Sequence, residues 1–277
     1  MIPLKDLIAK NLFIHYSNHM NICLFSEQGI NQPLSRKDER AQHLIKILHK
    51  NVGDTFSAGI VNGKAGSATI TDITDTEIHF SFTPETDGKP LYPLILIIGF
   101  PRPIQLKRLL RDVAALGASE VHLTGTELGE KSYLNSNLSK PEEAWQMLYD
   151  GTVQAASTHV PEVFIHKNLK DCVEAVRKSA EAFESTENYD KTLYLCLDNI
   201  NPAGALTSIL EKNRAESRPA GSFVAAIGSE RGWTENERTF LEEQGFLRCG
   251  MGPRVMRTET AATVASSVIA SYAGWLS

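Results

Sequence analysis

The regular alternation of strand and helix patterns after residue 90 is the feature that most constrains the fold. Residues 91–100 form a continuous apolar run, the pattern expected of a parallel strand that is buried on both faces. Further predicted strands lie at 120–123, 163–165, 193–198, 223–227 and 246–249. Predicted helices lie between them, at 104–116, 141–156, 169–183, 203–212, 234–244 and 258–275. This alternation predicts an α/β domain with a doubly wound parallel sheet.

The preceding part of the chain has a different pattern. Three short runs rich in β-branched and aromatic residues lie at 55–61, 67–73 and 77–82. Turn sequences such as Asn62-Gly63 separate them, and one helical segment is predicted at 36–49. So few strands bury their edges best by closing, which favours a small β-barrel.

A domain boundary is predicted at residues 83–90. This segment contains two prolines, a glycine and several charges, and it has no apolar periodicity. The chain is therefore divided into an N-terminal extension at 1–19, a barrel at 20–84 and an α/β domain at 91–277.

Composition limits the compartment and the binding partners that we expect for the protein. The four cysteines are scattered without a C-x-x-C pair, which argues against a disulfide framework or a zinc site and favours a reducing compartment such as the cytoplasm. The longest apolar run, 94–98, is far too short to cross a bilayer, so we expect no membrane association. The net charge of −5 disfavours nonspecific coating of nucleic acid but allows a local basic patch.

One locally basic segment opens the predicted α/β domain. It contains four cations opposed only by Asp112: Arg102, Lys107, Arg108 and Arg111. Such a cluster is typical either of an RNA-binding patch or of an ordinary solvated helix face, and the sequence leaves both interpretations open.

Polar or glycine-rich loops follow three successive late strands. They begin at Asp198, at Gly228 and at Gly250. Ligands bind beyond the carboxyl ends of strands in parallel sheets, so these loops are predicted to converge on one pocket. Their glycines match neither a P-loop nor the G-x-G-x-x-G dinucleotide fingerprint.

The last of these loops carries the most specific motif. Gly252 is followed by Arg254 and then by the string Arg257-Thr258-Glu259-Thr260-Ala261. This pattern resembles the C-terminal motif of the RsmE family, which methylates uridine N3 in small-subunit ribosomal RNA using S-adenosylmethionine. The loop at 228–232 is similar in outline to the family's glycine-rich loop. The segment from His43-Leu44 to Gly53-Asp54 is similar to a family stretch near the N-terminus, and the resemblance spans roughly residues 20 to 277.

The resemblance implies a particular architecture. A PUA-like, RNA-binding β-barrel would precede a SPOUT-type domain, whose parallel sheet ends in a trefoil knot, a rare exception to unknotted topology. S-adenosylmethionine would lie bent in the knot, and a homodimer would assemble the active site. The substrate would be ribosomal RNA of the small subunit, and no metal is expected.

The resemblance also implies roles for individual residues. Arg254 and Arg257 are candidates for stabilising the uridine anion, and Glu230 or Glu259 for relaying its proton. An ion pair between Arg257 and Glu259 that merely holds the loop is an equal alternative. The predicted cofactor-binding residues are Leu197, Ile227, Gly228, Gly232, Met251, Gly252, Val255 and Met256. The predicted RNA-binding residues are Arg102, Lys107, Arg108, Arg111 and His43.

Several positions depart from the family pattern. Asp112 and Ala115 lie where the family has a lysine and a threonine-glutamate-leucine-glycine string, Ser157 replaces an arginine, and Arg231 replaces a glycine. These losses of basic residues motivate a second hypothesis, a noncatalytic RNA-binding or ribosome-assembly factor. The net negative charge motivates a third, a small-molecule α/β enzyme without a nucleic-acid partner.

Overall fold

The computed structural model describes residues 20–184, 191–216 and 220–276. The predicted N-terminal extension, residues 1–19, lies outside the described residues. The chain divides into two compact units. The first contains Met1–Pro90 and Leu148–Val160, and the second contains Leu91–Met147 and Pro161–Ser277.

The first unit is built on a five-stranded half-barrel sheet of order β1-β3-β4-β5-β2. Its strands are β1 (Cys23–Phe25), β2 (Leu34–Ser35), β3 (Thr55–Ile60), β4 (Ala65–Ile73) and β5 (Glu77–Thr86). Only β1 and β3 pair in parallel, and the other pairs are antiparallel. The three strands predicted over 55–82 are confirmed. The half-buried Phe80 packs against two buried rings, 5.1 Å from Phe25 and 5.7 Å from Phe56 between ring centroids.

Two expectations for this unit need correction. The predicted helix at 36–49 is a short helix, α1 (Glu39–Gln42), followed by a π-helical turn, His43–Ile47. The predicted boundary at 83–90 is partly strand, because β5 continues through Pro84 and pairs with the start of β4. Gly66 permits this close pairing, since a Cβ there would lie 2.1 Å from the Thr83 carbonyl oxygen.

The second unit contains a seven-stranded sheet of order β10-β12-β9-β11-β6-β7-β8, in which every pairing is parallel. Its strands are β6 (Tyr92–Gly99), β7 (Ala118–Thr124), β8 (Glu162–His166), β9 (Thr192–Leu197), β10 (Gly204–Ala205), β11 (Ser222–Ile227) and β12 (Leu247–Gly250). The remaining helices are α2 (Pro103–Ala115), α3 (Pro141–Gln154), α4 (Leu169–Glu184), α5 (Leu206–Arg214), α6 (Glu235–Glu243) and α7 (Thr258–Tyr272). The predicted α/β fold with a parallel sheet is confirmed, and the short edge strand β10 is an addition.

Helices cover both faces of this sheet. Val224 of β11 packs with Cys172 and Val176 of α4, whereas the neighbouring Phe223 contacts Tyr272 of α7. Successive strand residues point to opposite faces, so α4 and α7 lie on opposite sides. This explains why β6 and β11 are apolar throughout. Within the described ranges, no helix has both the length and the apolar character needed to span a membrane.

All four cysteines are buried and free. They lie in β1, α4, β9 and β12.

We predict that Thr234→Ala lowers the free energy of unfolding by about 1–2 kcal/mol. Thr234 caps α6 by accepting from the Glu237 amide, at 3.2 Å, while the Glu237 carboxylate accepts from the Thr234 amide, at 2.9 Å. Thr234 also donates to the Glu127 carboxylate at 2.6 Å. Chemical denaturation measures the change. Thr207→Ala, at an exposed position of α5, is the control, and equal effects at both positions would contradict the capping role.

Candidate active site

The loops that follow β9, β11 and β12 converge, as the strand order requires and the sequence predicts. The Asn199 side chain donates to the Arg254 carbonyl oxygen at 3.4 Å, which joins the first loop to the third. The Thr258 hydroxyl, in the first turn of α7, donates to the Gly228 carbonyl oxygen at 3.2 Å. The three predicted loops therefore form one continuous surface at the carboxyl edge of the sheet.

Glycines let the backbones of these loops approach each other closely. A Cβ at Gly99, the last residue of β6, would lie 2.4 Å from the Ser229 amide nitrogen. Gly232 and Gly252 have φ angles of +72° and +99°, which favour glycine. Apart from the glycine and its two chain neighbours, no atom of the described residues lies within 4 Å of the position a Cβ would take at either residue. Both glycines therefore leave open space beside the backbone.

A buried ion pair fixes the loop after β9. Arg238 of α6 donates from Nε to the Asp198 carboxylate at 2.7 Å, and both side chains are only 8% exposed. The other Asp198 oxygen accepts from the Ile200 amide at 2.9 Å. The carboxylate thus fixes the turn while α6 supplies its counter-charge.

A cavity of about 420 Å³ lies within the second unit next to the loop after β11. Three arginines, three glutamates, a tyrosine, a glutamine and a leucine line it: Arg102, Arg231, Arg257, Glu130, Glu230, Glu259, Tyr133, Gln105 and Leu128. Charges of both signs and one aromatic ring give it the chemistry of a site for a planar, polar ligand.

A short hydrogen-bonded chain organises one wall of this cavity. The Glu230 carboxylate accepts from the Arg102 amide at 2.9 Å, and Arg102 Nε donates to the Tyr133 hydroxyl at 3.0 Å. The interaction with Tyr133, followed by the charge of Glu230, raises the pKa of the Arg102 guanidinium further. Arg102 is therefore a fixed cation beside the start of α2.

The structure brings together three of the four predicted catalytic residues. Glu230, Arg257 and Glu259 line the cavity, whereas Arg254 is exposed and is not among the lining residues. Arg257 Nη1 lies 4.0 Å from Glu259 Oε1, with side-chain exposures of 78% and 15%. A pair this long leaves the arginine head group free to meet a ligand.

The predicted cofactor-binding residues lie along the converging loops. Leu197, Ile227 and Gly228 are buried at the ends of β9 and β11. Three others are half-buried: Gly232, Met251 and Met256. The remaining two are exposed, Gly252 and Val255, and the Val255 side chain is 91% exposed.

The predicted RNA-binding residues are dispersed. Lys107 and Arg108 are exposed on α2, near the cavity-lining Arg102. Arg111 is half-buried and contacts the Met147 sulfur at 3.6 Å. His43, in the first unit, is only 8% exposed and offers little surface to a ligand.

Sequence reasoning missed one wall of the cavity. Leu128, Glu130 and Tyr133 lie in the loop after β7, which contacts the loop after β11 through a hydrogen bond from Thr126 to Ser229 at 3.1 Å. This segment has neither periodicity nor a glycine motif. The available signal was its position after a parallel strand, where ligands bind.

Comparison with known proteins shows the class of protein to which the second unit belongs. The RNA methyltransferase domain family matches residues 87–270, which includes all of the converging loops and the cavity. The second unit is therefore an RNA methyltransferase domain.

Whole-chain relatives define the family. The chain is 39% identical to ribosomal RNA small subunit methyltransferase E of Treponema pallidum over 259 residues, which cover 92% of each chain. It is 30% identical to ribosomal RNA small subunit methyltransferase E 1 of Borreliella burgdorferi, covering 91% of this chain and 98% of the relative. The chain belongs to the ribosomal RNA small subunit methyltransferase E family, which is the RsmE family that the sequence motifs predict.

A solved structure gives the same fold. The crystal structure of ribosomal RNA small subunit methyltransferase E from Neisseria gonorrhoeae bound to S-adenosyl methionine superposes with a TM-score of 0.65. The match covers 91% of this chain and 98% of that one at 22% identity.

We predict that Asp198→Asn lowers the free energy of unfolding by about 3 kcal/mol, because it leaves the buried Arg238 guanidinium with only the exposed Glu235 carboxylate, 3.3 Å from Nη1, as its counter-charge. Equilibrium denaturation measures the change. Glu174→Gln is the matched control, since its pair with Lys178 is 3.2 Å long with both side chains about 70% exposed. That control should cost less than about 0.5 kcal/mol, and a similarly small loss at Asp198 would argue against the anchoring role.

Proposed function

We propose that this protein transfers the methyl group of S-adenosylmethionine to N3 of a uridine in the 16S RNA of the small ribosomal subunit. The observation that carries the proposal is the cavity of arginines and glutamates beside the glycine-rich loops. Membership of the small-subunit methyltransferase family supports the substrate. The gonococcal relative bound to S-adenosyl methionine supports the cofactor.

The converging loops fit such a cofactor. Gly232 and Gly252 leave open space where other residues would carry a Cβ, and the strand ends Leu197 and Ile227, whose side chains are buried, would contact the cofactor through their backbones. Backbone groups of these loops, together with Gly228, Met251, Val255 and Met256, would hold the cofactor. When bound, the cofactor supplies an activated methyl group on a positively charged sulfur.

The cavity residues would prepare the uridine. N3 of uridine is a weak acid, so methylation requires loss of its proton. Arg257 would stabilise the anion that develops on the base, and Glu230 or Glu259 would accept the proton. Tyr133 offers a ring on which an unstacked base can lie, the usual mode of single-stranded RNA recognition. Arg102 would hold Tyr133 and Glu230 in position through its two hydrogen bonds.

The wider assembly is part of the same proposal. The strand ends and converging loops support a trefoil knot formed by the segment that includes 250–257, and the family resemblance supports a homodimer. Residues 20–84 would bind RNA, Lys107 and Arg108 of the second unit would also contact RNA, and the enzyme would act in the cytoplasm. Sedimentation of the full chain tests the dimer.

Arg257→Ala is expected to lower kcat for methyl transfer by about 10²- to 10³-fold, since one preorganised charge donor is worth that much. The measurement uses labelled S-adenosylmethionine, purified small ribosomal subunits and nucleoside analysis of the product. Arg254→Ala tests the other arginine, and Arg214→Ala, on α5 outside the cavity lining, is the control.

Full activity of Arg257→Ala would remove this residue from the catalytic role, and full activity of Arg254→Ala would do the same for Arg254. If the unmodified chain binds cofactor but incorporates no methyl group into any RNA, the noncatalytic RNA-binding hypothesis replaces the proposal.

Gly232→Ala is expected to weaken S-adenosylmethionine binding about tenfold or more, measured by calorimetry. Holding a non-glycine residue at this φ costs on the order of 1–3 kcal/mol, and a loop that relaxes this strain moves away from its binding geometry. Gly245→Ala is the matched control, because Gly245 has a φ of +79° with open space around it but follows α6. Equal cofactor affinity in the two variants would contradict the role of the 228–232 loop.

A further inference from the structure

A cluster of three potential metal ligands, none of which lines the cavity, lies between β7, β8 and α4. It consists of His122, His166 and Cys172, whose ligand atoms all lie within 4.8 Å of one another. We propose that this cluster binds a transition-metal cation, with Zn²⁺ as the best match. The proposal goes beyond methyl transfer, which uses none of these residues.

The strand register brings the two histidines together. In the parallel pair β7·β8, His122 is opposite Phe164 and Thr124 is opposite His166. His166 is therefore two places further along, on the same face of the sheet as His122. Cys172 lies in the first turn of α4, which packs on this face. Three separate elements of the chain, β7, β8 and α4, thus direct their donor atoms to one point.

The donors suit a borderline-soft cation. Two imidazoles and one thiolate are ligands that zinc accepts, and zinc sites with three protein ligands keep a fourth position for water. Cys172 is fully buried and the His122 side chain is 1% exposed, whereas His166 is half-buried. The cation would therefore enter from the His166 side, where water can supply the fourth ligand.

The separation of the histidine nitrogens is close to the required value. His122 Nδ1 and His166 Nε2 are 3.0 Å apart and share a hydrogen bond. Two imidazole nitrogens on one tetrahedral zinc ion are about 3.3 Å apart. The cation would replace the shared proton, and the rings would separate by a few tenths of an ångström and turn their lone pairs toward it.

Glu120 supplies the supporting contact that metal-binding histidines usually have. Its carboxylate Oε2 lies 2.8 Å from His122 Nε2 and accepts a hydrogen bond from it. A carboxylate can only accept, so the proton of His122 is on Nε2 and the lone pair of Nδ1 faces the cluster. Phe164 stacks on the same ring at 4.6 Å and restricts its rotation. This carboxylate–histidine arrangement orients ligands in metal sites.

Binding would release one proton from each chain. The Cys172 thiol, whose pKa is raised by burial, would lose its proton to solvent as the metal–sulfur bond forms. His166 would move its proton from Nε2 to Nδ1 and coordinate through Nε2. The charge of the cation and the N-terminal end of α4 would offset the cost of a buried thiolate.

This cluster is not predictable from the sequence, which leads us to expect no metal, because its members are 44 and 6 residues apart and include only one cysteine. Without a cation, Glu120, His122 and His166 form a hydrogen-bonded chain that joins β7 to β8. That purely structural role is the competing outcome of the test.

The test uses the full chain, stripped with a chelator and titrated with Co²⁺ as a spectroscopic probe of the Zn²⁺ site. We expect one Co²⁺ per chain, a thiolate-to-cobalt charge-transfer band and displacement by Zn²⁺. Calorimetry in two buffers of different ionisation enthalpy should show about one proton released on binding. Cys172→Ala should abolish the band, and His166→Gln should weaken binding at least 100-fold. Glu120→Gln should weaken it about 10- to 100-fold.

Two matched controls are available in the chain. His79 lies two residues after Glu77 on β5 and is 3.7 Å from its carboxylate, which repeats the Glu120–His122 pattern, but among the described residues it belongs to no group of three potential metal ligands. Cys249 is an equally buried free thiol. His79→Ala and Cys249→Ala should leave the Co²⁺ affinity and the band unchanged.

Three results would overturn the proposal: no Co²⁺ binding by the full chain, binding without the charge-transfer band, or binding that persists in Cys172→Ala. Because His166 is half-buried, His166→Gln keeps the test valid if Cys172→Ala fails to fold. Methyl transfer is measured on the same samples, so loss of metal binding is distinguished from loss of the proposed activity.

Discussion

The common direction of the seven strands in the second unit is the constraint on which the site depends. Parallel strands all end at the same edge of the sheet, so the loops after β7, β9, β11 and β12 meet there. No sequence motif is needed to bring these loops together. The apolar strands β6 and β11 hold this edge in place because helices cover both of their faces. Close packing of Gly99 against Ser229 then brings the loops near enough to share a ligand.

Ion pairs and hydrogen bonds hold in place the loops that the sheet brings together. The buried Asp198–Arg238 pair fixes one loop to the first turn of α6, and the capping residue Thr234 fixes the same end of that helix to Glu127. The cavity itself has equal numbers of arginines and glutamates. An overall acidic protein can therefore present a locally balanced pocket, and under the proposed function the placement of each charge, rather than a general positive field, would select the base.

The sequence predicts features that rest on local patterns. Apolar runs and helical periodicity locate the strands and helices of the second unit, and the motif ending in Arg257-Thr258-Glu259 identifies the family. Features that depend on long-range pairing were not predictable. The side chains of Arg102 and Tyr133 form a hydrogen bond although they are 31 residues apart in the sequence, and those of Asp198 and Arg238 do so although they are 40 residues apart. β5 continues into the predicted boundary segment because β4 provides backbone hydrogen-bond partners there, and no local pattern in the sequence reveals this pairing.

A closed circuit of contacts runs through the site. Thr258 links α7 to Gly228, and Thr263 of α7 donates to Asp112 of α2 at 3.3 Å. Arg102, at the start of α2, returns through its amide to Glu230 in the same loop as Gly228. Ordering any arm of this circuit reduces the conformational entropy that the others must lose. A cofactor on one arm and an RNA on another would therefore each lower the entropic cost of binding the other, to the same extent whichever binds first.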